Sequence, residues 1–421
     1  MKYVMLIGGA LCAATPALAQ TTDNMGDMPA MDHAAGHDHM AMMKADADWQ
    51  PSSGTSRAPG NTPMHGLHLA AGDWMVMVHG YGWASYTDQG GPRGESKTFV
   101  QSMAMIEASR PLDGNKALVL RSMLSLDPLM GDRGYPNLFA TGETAGGVAL
   151  VDRQHPHDLF MEMSARLNVD IGNDMQFFLY GGLPGEPALG PSAFMHRASA
   201  RFDPDAPITH HWFDSTHITF GVITAGIGNP HWQFEASAFN GREPDEDRWD
   251  IEKPRLNSWS VRASWTPTPY WAAQISYGRL HRPELLHPGE DEGRLTASIS
   301  YSKGPLAATA GWSRKNRMPG RSLNGWFAEA NYNIAGPHNI FGRYERVTND
   351  ELFGEDSSLH DQPFTIDKLS LGYAWQLPLG GEWHLALGGM GSLYGKPDRL
   401  NAYYGAHPRS FVLFAKLSLG D

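Results

Sequence analysis

From Asp73 to the end of the chain one pattern recurs. Residues alternate between apolar and polar over short stretches, and each stretch is closed by a turn or a polar loop. In the stretch after Asp158, Leu159, Met161, Met163, Ala165, Leu167 and Val169 fall on one face. Phe160, Glu162, Ser164, Arg166 and Asn168 fall on the other. Strand side chains point alternately to two faces, so period two predicts a strand with an apolar side and a polar side. Ser258–Thr266 repeats the pattern, with Trp259, Val261, Ala263 and Trp265 opposite Ser260, Arg262, Ser264 and Thr266. Ser410–Leu419 closes the chain with Phe411, Leu413, Ala415, Leu417 and Leu419 on its apolar face. The reading gives about sixteen strands, bounded by about fourteen and eighteen, since strand edges are the weakest part of such a reading.

The connections alternate in length. Short turns stand at 109–115, 170–174, 226–230, 267–269, 303–305, 335–337 and 378–381. Long polar loops stand at 127–156, 182–216, 241–257, 281–293, 314–321, 348–363 and 396–409. Trp259, Trp265, Trp271, Tyr277, Tyr301, Trp312, Trp326, Tyr332, Trp375 and Trp383 lie near the ends of apolar faces, as interfacial girdles require. Short turns at one end, long loops at the other and aromatic girdles predict an all-β fold, a transmembrane antiparallel β-barrel of the outer-membrane type. A large soluble sandwich or propeller also alternates, but it leaves the loop asymmetry and the terminal tryptophans unexplained.

Three segments follow. Lys2, the apolar run Val4–Ala14 and the small-residue site Ala17-Leu18-Ala19 read as a signal peptide over residues 1–19. Its removal takes away Cys12, the one cysteine, so disulfide frameworks and thiolate metal sites are excluded. It also takes one of 33 basic residues against 45 acidic, leaving a net charge near −13 that argues against nucleic acid as a partner. No later segment has the roughly 18 apolar residues of a membrane helix. Residues 20–72 read as a disordered Met/His-rich leader, and residues 73–421 as the barrel. The expected location is the outer membrane of a Gram-negative bacterium, in contact with its lipid, with the leader in the periplasm.

The leader holds Met25, Met28, Met31, His33, His37, His39, Met40, Met42 and Met43. Thioethers select Cu(I), while imidazole and carboxylate suit Cu(II) and zinc, so the tract suits copper in both oxidation states. A flexible leader that drifted towards methionine is the bland alternative. It fits less well, because methionine ordinarily fills cores and a solvated tail has none.

The signal segment, the MDHAAGHDHM tract at 31–40 and the barrel after it resemble the outer-membrane copper-resistance proteins of the B type. The likeness covers the leader and the general architecture. It implies copper binding, a contribution to metal resistance or passage, and periplasmic copper-handling proteins as partners. The final Asp421 departs from the terminal Phe of many outer-membrane barrels, leaving the strand from Phe411 as the trace of an assembly signal.

Two loops carry further candidates. His155, His157 and Asp158 end one, and His210, His211, Asp214 and His217 end another. On a helical turn His210, Asp214 and His217 share a face. Together these residues form a plausible copper or zinc set. Hydrogen-bonding posts that pin a folded-in loop are the equal alternative. His155–Asp158 falls at the outer end of a strand, across the bilayer from the leader, so loop and leader read as two separable sites. A methionine ladder on the first three strands (Met75, Met77 and His79, then Met103 and Met105, then Met123) would pass Cu(I) by ligand exchange if it faced the lumen, but packing is the commoner role of methionine. The function these features point to is that of a copper-binding barrel, with a contribution to metal resistance or passage. A general or substrate-specific porin with an incidental leader is the main alternative, and an outer-membrane hydrolase a lesser one. No Gly-x-Ser-x-Gly elbow supports catalysis.

Overall fold

A computed structural model describes residues 48–63 and 66–420. Sixteen long strands are joined in chain order into a closed antiparallel barrel. They are β1 (Trp74–Gln89), β2 (Ser96–Pro111), β3 (Lys116–Leu124), β4 (Phe160–Gly172), β5 (Met175–Gly182), β6 (Val222–Gly228), β7 (Trp232–Phe239) and β8 (Ser258–Thr268). The second half runs β9 (Trp271–Leu280), β10 (Asp291–Lys303), β11 (Leu306–Met318), β12 (Ser322–Ala335), β13 (His338–Asn349), β14 (Phe364–Gly380), β15 (Trp383–Gly395) and β16 (Arg409–Leu419). β16 closes on β1 from Ser410↔Gln89 to Leu419↔Gly80. Where β16 runs out, the short strand Leu67–Ala71 continues the ladder along β1, from Leu67↔Val78 to Ala71↔Trp74. Closure matters because in lipid every backbone polar group must find its partner within the protein.

The alternation orients the wall. Trp259, Val261 and Trp265 of β8 are exposed on the outside, while Ser258, Ser260, Arg262 and Ser264 are buried inside. Trp271, Trp326, Tyr332, Trp375 and Trp383 also face outward, completing an apolar belt with aromatic ends. The loop ends differ from expectation in two places. β11 runs on to Met318, so the loop expected at 314–321 shrinks to 319–321. The strand expected from His217 begins at Val222, because His217 ends a 3-10 turn.

The lumen is filled from both ends. Two long loops, 125–159 and 183–221, fold inward and are buried over most of their length. Wall charges clamp the second. Arg197 donates to Glu329 at 2.6 Å and to Asp214 at 3.0 Å, and Arg343 binds Glu329 at 2.8 Å and Asp203 at 3.2 Å. Such pairs are costly to bury and costlier to break, so they fix the loop's position more than they add stability.

From the turn end comes a hairpin, Trp49–Pro51 paired with Arg57–Pro59. This corrects the expectation of disorder through residue 72 for its described part. Arg57 donates to the Asn229 carbonyl at 2.8 Å and stacks over Trp49 at 4.1 Å. Inside, Arg262 donates to Thr55 Oγ1 at 3.0 Å, and Ser53 donates to Glu186 at 3.1 Å. The backbone N–H of Ala193 donates to Ser53 Oγ at 2.8 Å, so the hairpin tip touches the in-folded loop.

Candidate metal centre

Where the two in-folded loops meet, five imidazoles gather. His155 and His157 come from the first loop, His210, His211 and His217 from the second, and all five are buried. Ring centroids lie 5.3 Å apart for His210–His211, 5.2 Å for His210–His217 and 5.4 Å for His157–His217. His155 closes the group at 6.1 Å from His210 and 5.9 Å from His211. The expected shared helix face is realised differently. The helix spans only His210–Phe213, and Ser215–His217 is a separate 3-10 turn that swings His217 back beside His210.

Each ring is held by Nδ1. His157 is 2.8 Å from Asp127 Oδ2, His210 is 2.8 Å from Asp214 Oδ1, and His211 is 3.1 Å from Glu243 Oε1. His217 is 2.7 Å from the Asp214 carbonyl, and His155 is 3.1 Å from that of Pro156. Carboxylates and carbonyls only accept, so Nδ1 must carry the proton in every case. A neutral ring so held presents its Nε2 lone pair. This is the arrangement that orients metal-ligating histidines, in which the far nitrogen is fixed by a carboxylate or carbonyl.

The Nε2 atoms of His155, His157, His211 and His217 are buried and have no hydrogen-bond partner among the described residues. Leaving a buried polar atom unpaired costs about 1–3 kcal/mol, so four in one cluster call for an occupant. One ring nitrogen from each of His155, His210 and His211 lies within 4.8 Å of the others. An ion bound tetrahedrally at about 2.0–2.1 Å holds its nitrogens about 3.4 Å apart, so small side-chain shifts complete the site. His211 also forms a second such group with Glu243 and Glu284.

Burial pushes His155 and His217 well below the ordinary imidazole range, and it lowers His210 as well. All three are therefore neutral and ligand-ready near pH 7. Burial also acts to lower His211, but the adjacent Glu243 carboxylate outweighs it and raises this one to about 9, so an ion bound by His211 must displace the Nε2 proton. The His211 ring fits because Gly142, at φ +116°, leaves it room; a Cβ there would lie 2.5 Å from the imidazole.

The carboxylates expected as ligands have other tasks. Asp158 binds Arg248 at 3.3 Å, and Arg248 also holds Glu143 at 2.9 Å. Asp214 spends Oδ1 on His210 and Oδ2 on Arg197 and the Phe194 N–H. Both carboxylates are engaged by arginines. Sequence reasoning missed Asp127, Glu243 and Glu143, which join the cluster only through the packing of three loops. The leader residues Met25, Met28, Met31, His33, His37, His39, Met40, Met42 and Met43 lie outside the described residues.

No protein-family model and no curated protein matches the chain. Among solved structures, Salmonella typhi OmpF, in complex with daunomycin, is similar at TM-score 0.55 and 8% identity, over 84% of this chain and 100% of that one. What the two share is the closed antiparallel barrel fold. Pseudomonas putida OprB is similar at TM-score 0.49 and 10% identity, over 82% of this chain and 94% of that one. An anion-selective porin from Comamonas acidovorans is similar at TM-score 0.49 and 13% identity, over 82% of this chain and 100% of that one. At these identities the likeness speaks for the fold alone.

Proposed function

We propose that this porin-type barrel of the outer membrane binds a transition metal, copper or zinc, at its five-histidine centre, and thereby stores the metal or passes it through the lumen. The observation that carries the reading is the set of four buried, unpartnered Nε2 atoms aligned by Nδ1 bonds. Imidazole is the ligand shared by zinc and copper, and the cluster holds no thiolate to narrow the choice. The leader, with its thioethers and imidazoles, serves in this proposal as a separate copper collector, and periplasmic copper-handling proteins would exchange metal with it.

The plain porin reading has its own support, the barrel likeness to OmpF. Titration of the full chain and of a chain lacking Met25–Met43 separates the two readings. A fall in Cu(I) capacity on deletion, with Zn(II) binding by the lumen retained, is the expected result and separates leader from lumen. A full chain that takes up neither Zn(II) nor Cu(II), yet conducts small ions across a bilayer, would leave the porin reading standing alone.

A further inference from the structure

The lumenal wall beside the histidine centre is chemically unlike the rest. Barrel interiors are polar, and elsewhere this one combines Arg, Glu, Ser and Thr with clusters of aromatic and aliphatic side chains such as Trp83, Phe341 and Phe414. Across β1–β4 thioethers gather beside Gln101, Arg121 and Glu162. Met103, Met105, Met123 and Met161 form one buried cluster with Ile218, and Met77 and Met195 pack against it. Register explains why they converge. His79 pairs with Met105, Met105 with Met123, and Met123 with Glu162, so one level of four adjacent strands carries them. Met161 belongs to this group only because of a bulge. The register shift between Phe160 and Glu162 turns it inward, against the outward face its place in the alternation predicts, and leaves it 0% exposed.

An imidazole accompanies the sulfurs. His196, next to Met195 on the in-folded loop, has a buried Nε2 with no hydrogen-bond partner among the described residues, and its ring lies 6.3 Å from that of His79. A packing role accounts for the sulfurs singly, since methionine fills irregular gaps. It does not account for five of them on the inward side of a barrel wall, with Met195 of the loop beside them, around an unpaired imidazole nitrogen.

We infer that this methionine chamber is a second metal site, selective for a soft monovalent ion, Cu(I), with thioethers as the main ligands. Neutral sulfur ligands prefer soft ions over Zn(II) or Cu(II), and a single positive charge asks least of a site without a free carboxylate. The chamber does not rest on the histidine centre. Ile218 joins the two, since it packs in the chamber and follows His217 directly in sequence.

The test compares the full chain with Met103→Leu/Met123→Leu/Met161→Leu. Leucine keeps the volume and apolarity but removes the sulfur. Both proteins keep the leader, so any difference between them reports the chamber. Under anaerobic competition with a Cu(I) chelator, the variant should hold one fewer tightly bound Cu(I) per chain. Its Zn(II) binding should be unchanged, so failure of the chamber and failure of the histidine centre are read separately. Identical Cu(I) stoichiometry and competition curves would overturn the inference. Should the variant not fold, methyl-labelled methionine NMR of the unmodified chain with Ag(I) decides. Shifts of buried methyl signals support the chamber, whereas shifts confined to the leader's methyls overturn it.

Discussion

Replacing His155 and His211 together by alanine should abolish tight Zn(II) and Cu(II) binding by the lumen, with an affinity loss of at least about 100-fold. Both belong to the histidine triplet whose ligand atoms lie within 4.8 Å of one another, and both have a buried Nε2 without a hydrogen bond among the described residues. Removing a mere outer-shell partner of a metal ligand typically costs about 10–100-fold, so two ligands must cost more. Glu243→Gln should fall in that smaller range, because the 3.1 Å contact to His211 Nδ1 survives in weakened form and the ring keeps its place. The graded order, ligand above support, separates metal ligation from a purely structural role. If the histidines only pinned the loops, the double variant would lower thermal stability while metal affinity, measured by calorimetric titration, stayed where it was.

Arg197→Ala should be the most damaging single change outside the histidines. The guanidinium is 3% exposed, and it ties Asp214 and Glu329 together while donating to the Ser192 carbonyl at 3.0 Å. Removing one partner of a buried pair leaves the other charges uncompensated, at a cost of about 3–5 kcal/mol. Asp214 is the group that orients His210, so the damage reaches the metal centre without touching a ligand. The expected result is rapid tryptic cleavage at Arg201 in the loosened loop, with metal affinity lowered about 10–100-fold. Arg197→Lys should lie between, since lysine restores a charge but not the forked contact to Glu329 at 2.6 and 3.3 Å. A protease pattern and affinity equal to the parent chain would show that the loop is held by other means.

The barrel was legible in the sequence because period-two patterning is a local property. All sixteen stretches correspond to strands, with edges moved by a few residues. Met161 was misplaced because a bulge adds a residue without altering the surrounding alternation. The hairpin at Trp49–Pro59 was read as part of a disordered leader because its Ser and Pro carry no periodicity. Its order comes from Arg262, Glu186 and Gln233, which are distant in sequence. The histidines stood out by their clustering, but their convergence did not, because an inward fold of a long loop leaves no repeating pattern. His155 and His157 stand just before β4, at the strand end expected, but they are buried against His210 and His217 of the second loop. Asp158 and Asp214 stand out beside histidines, but their arginine partners, distant in sequence, do not.

The central claim is that the lumen holds a metal among imidazoles. Anomalous diffraction at the zinc or copper edge, from crystals of the full chain grown with that metal, tests it most directly. The expected result is a peak bounded by His155, His210 and His211, with nitrogen ligands at about 2.0–2.1 Å. A metal-loaded crystal with these three rings in place, no anomalous density between them and signal only elsewhere would contradict the account.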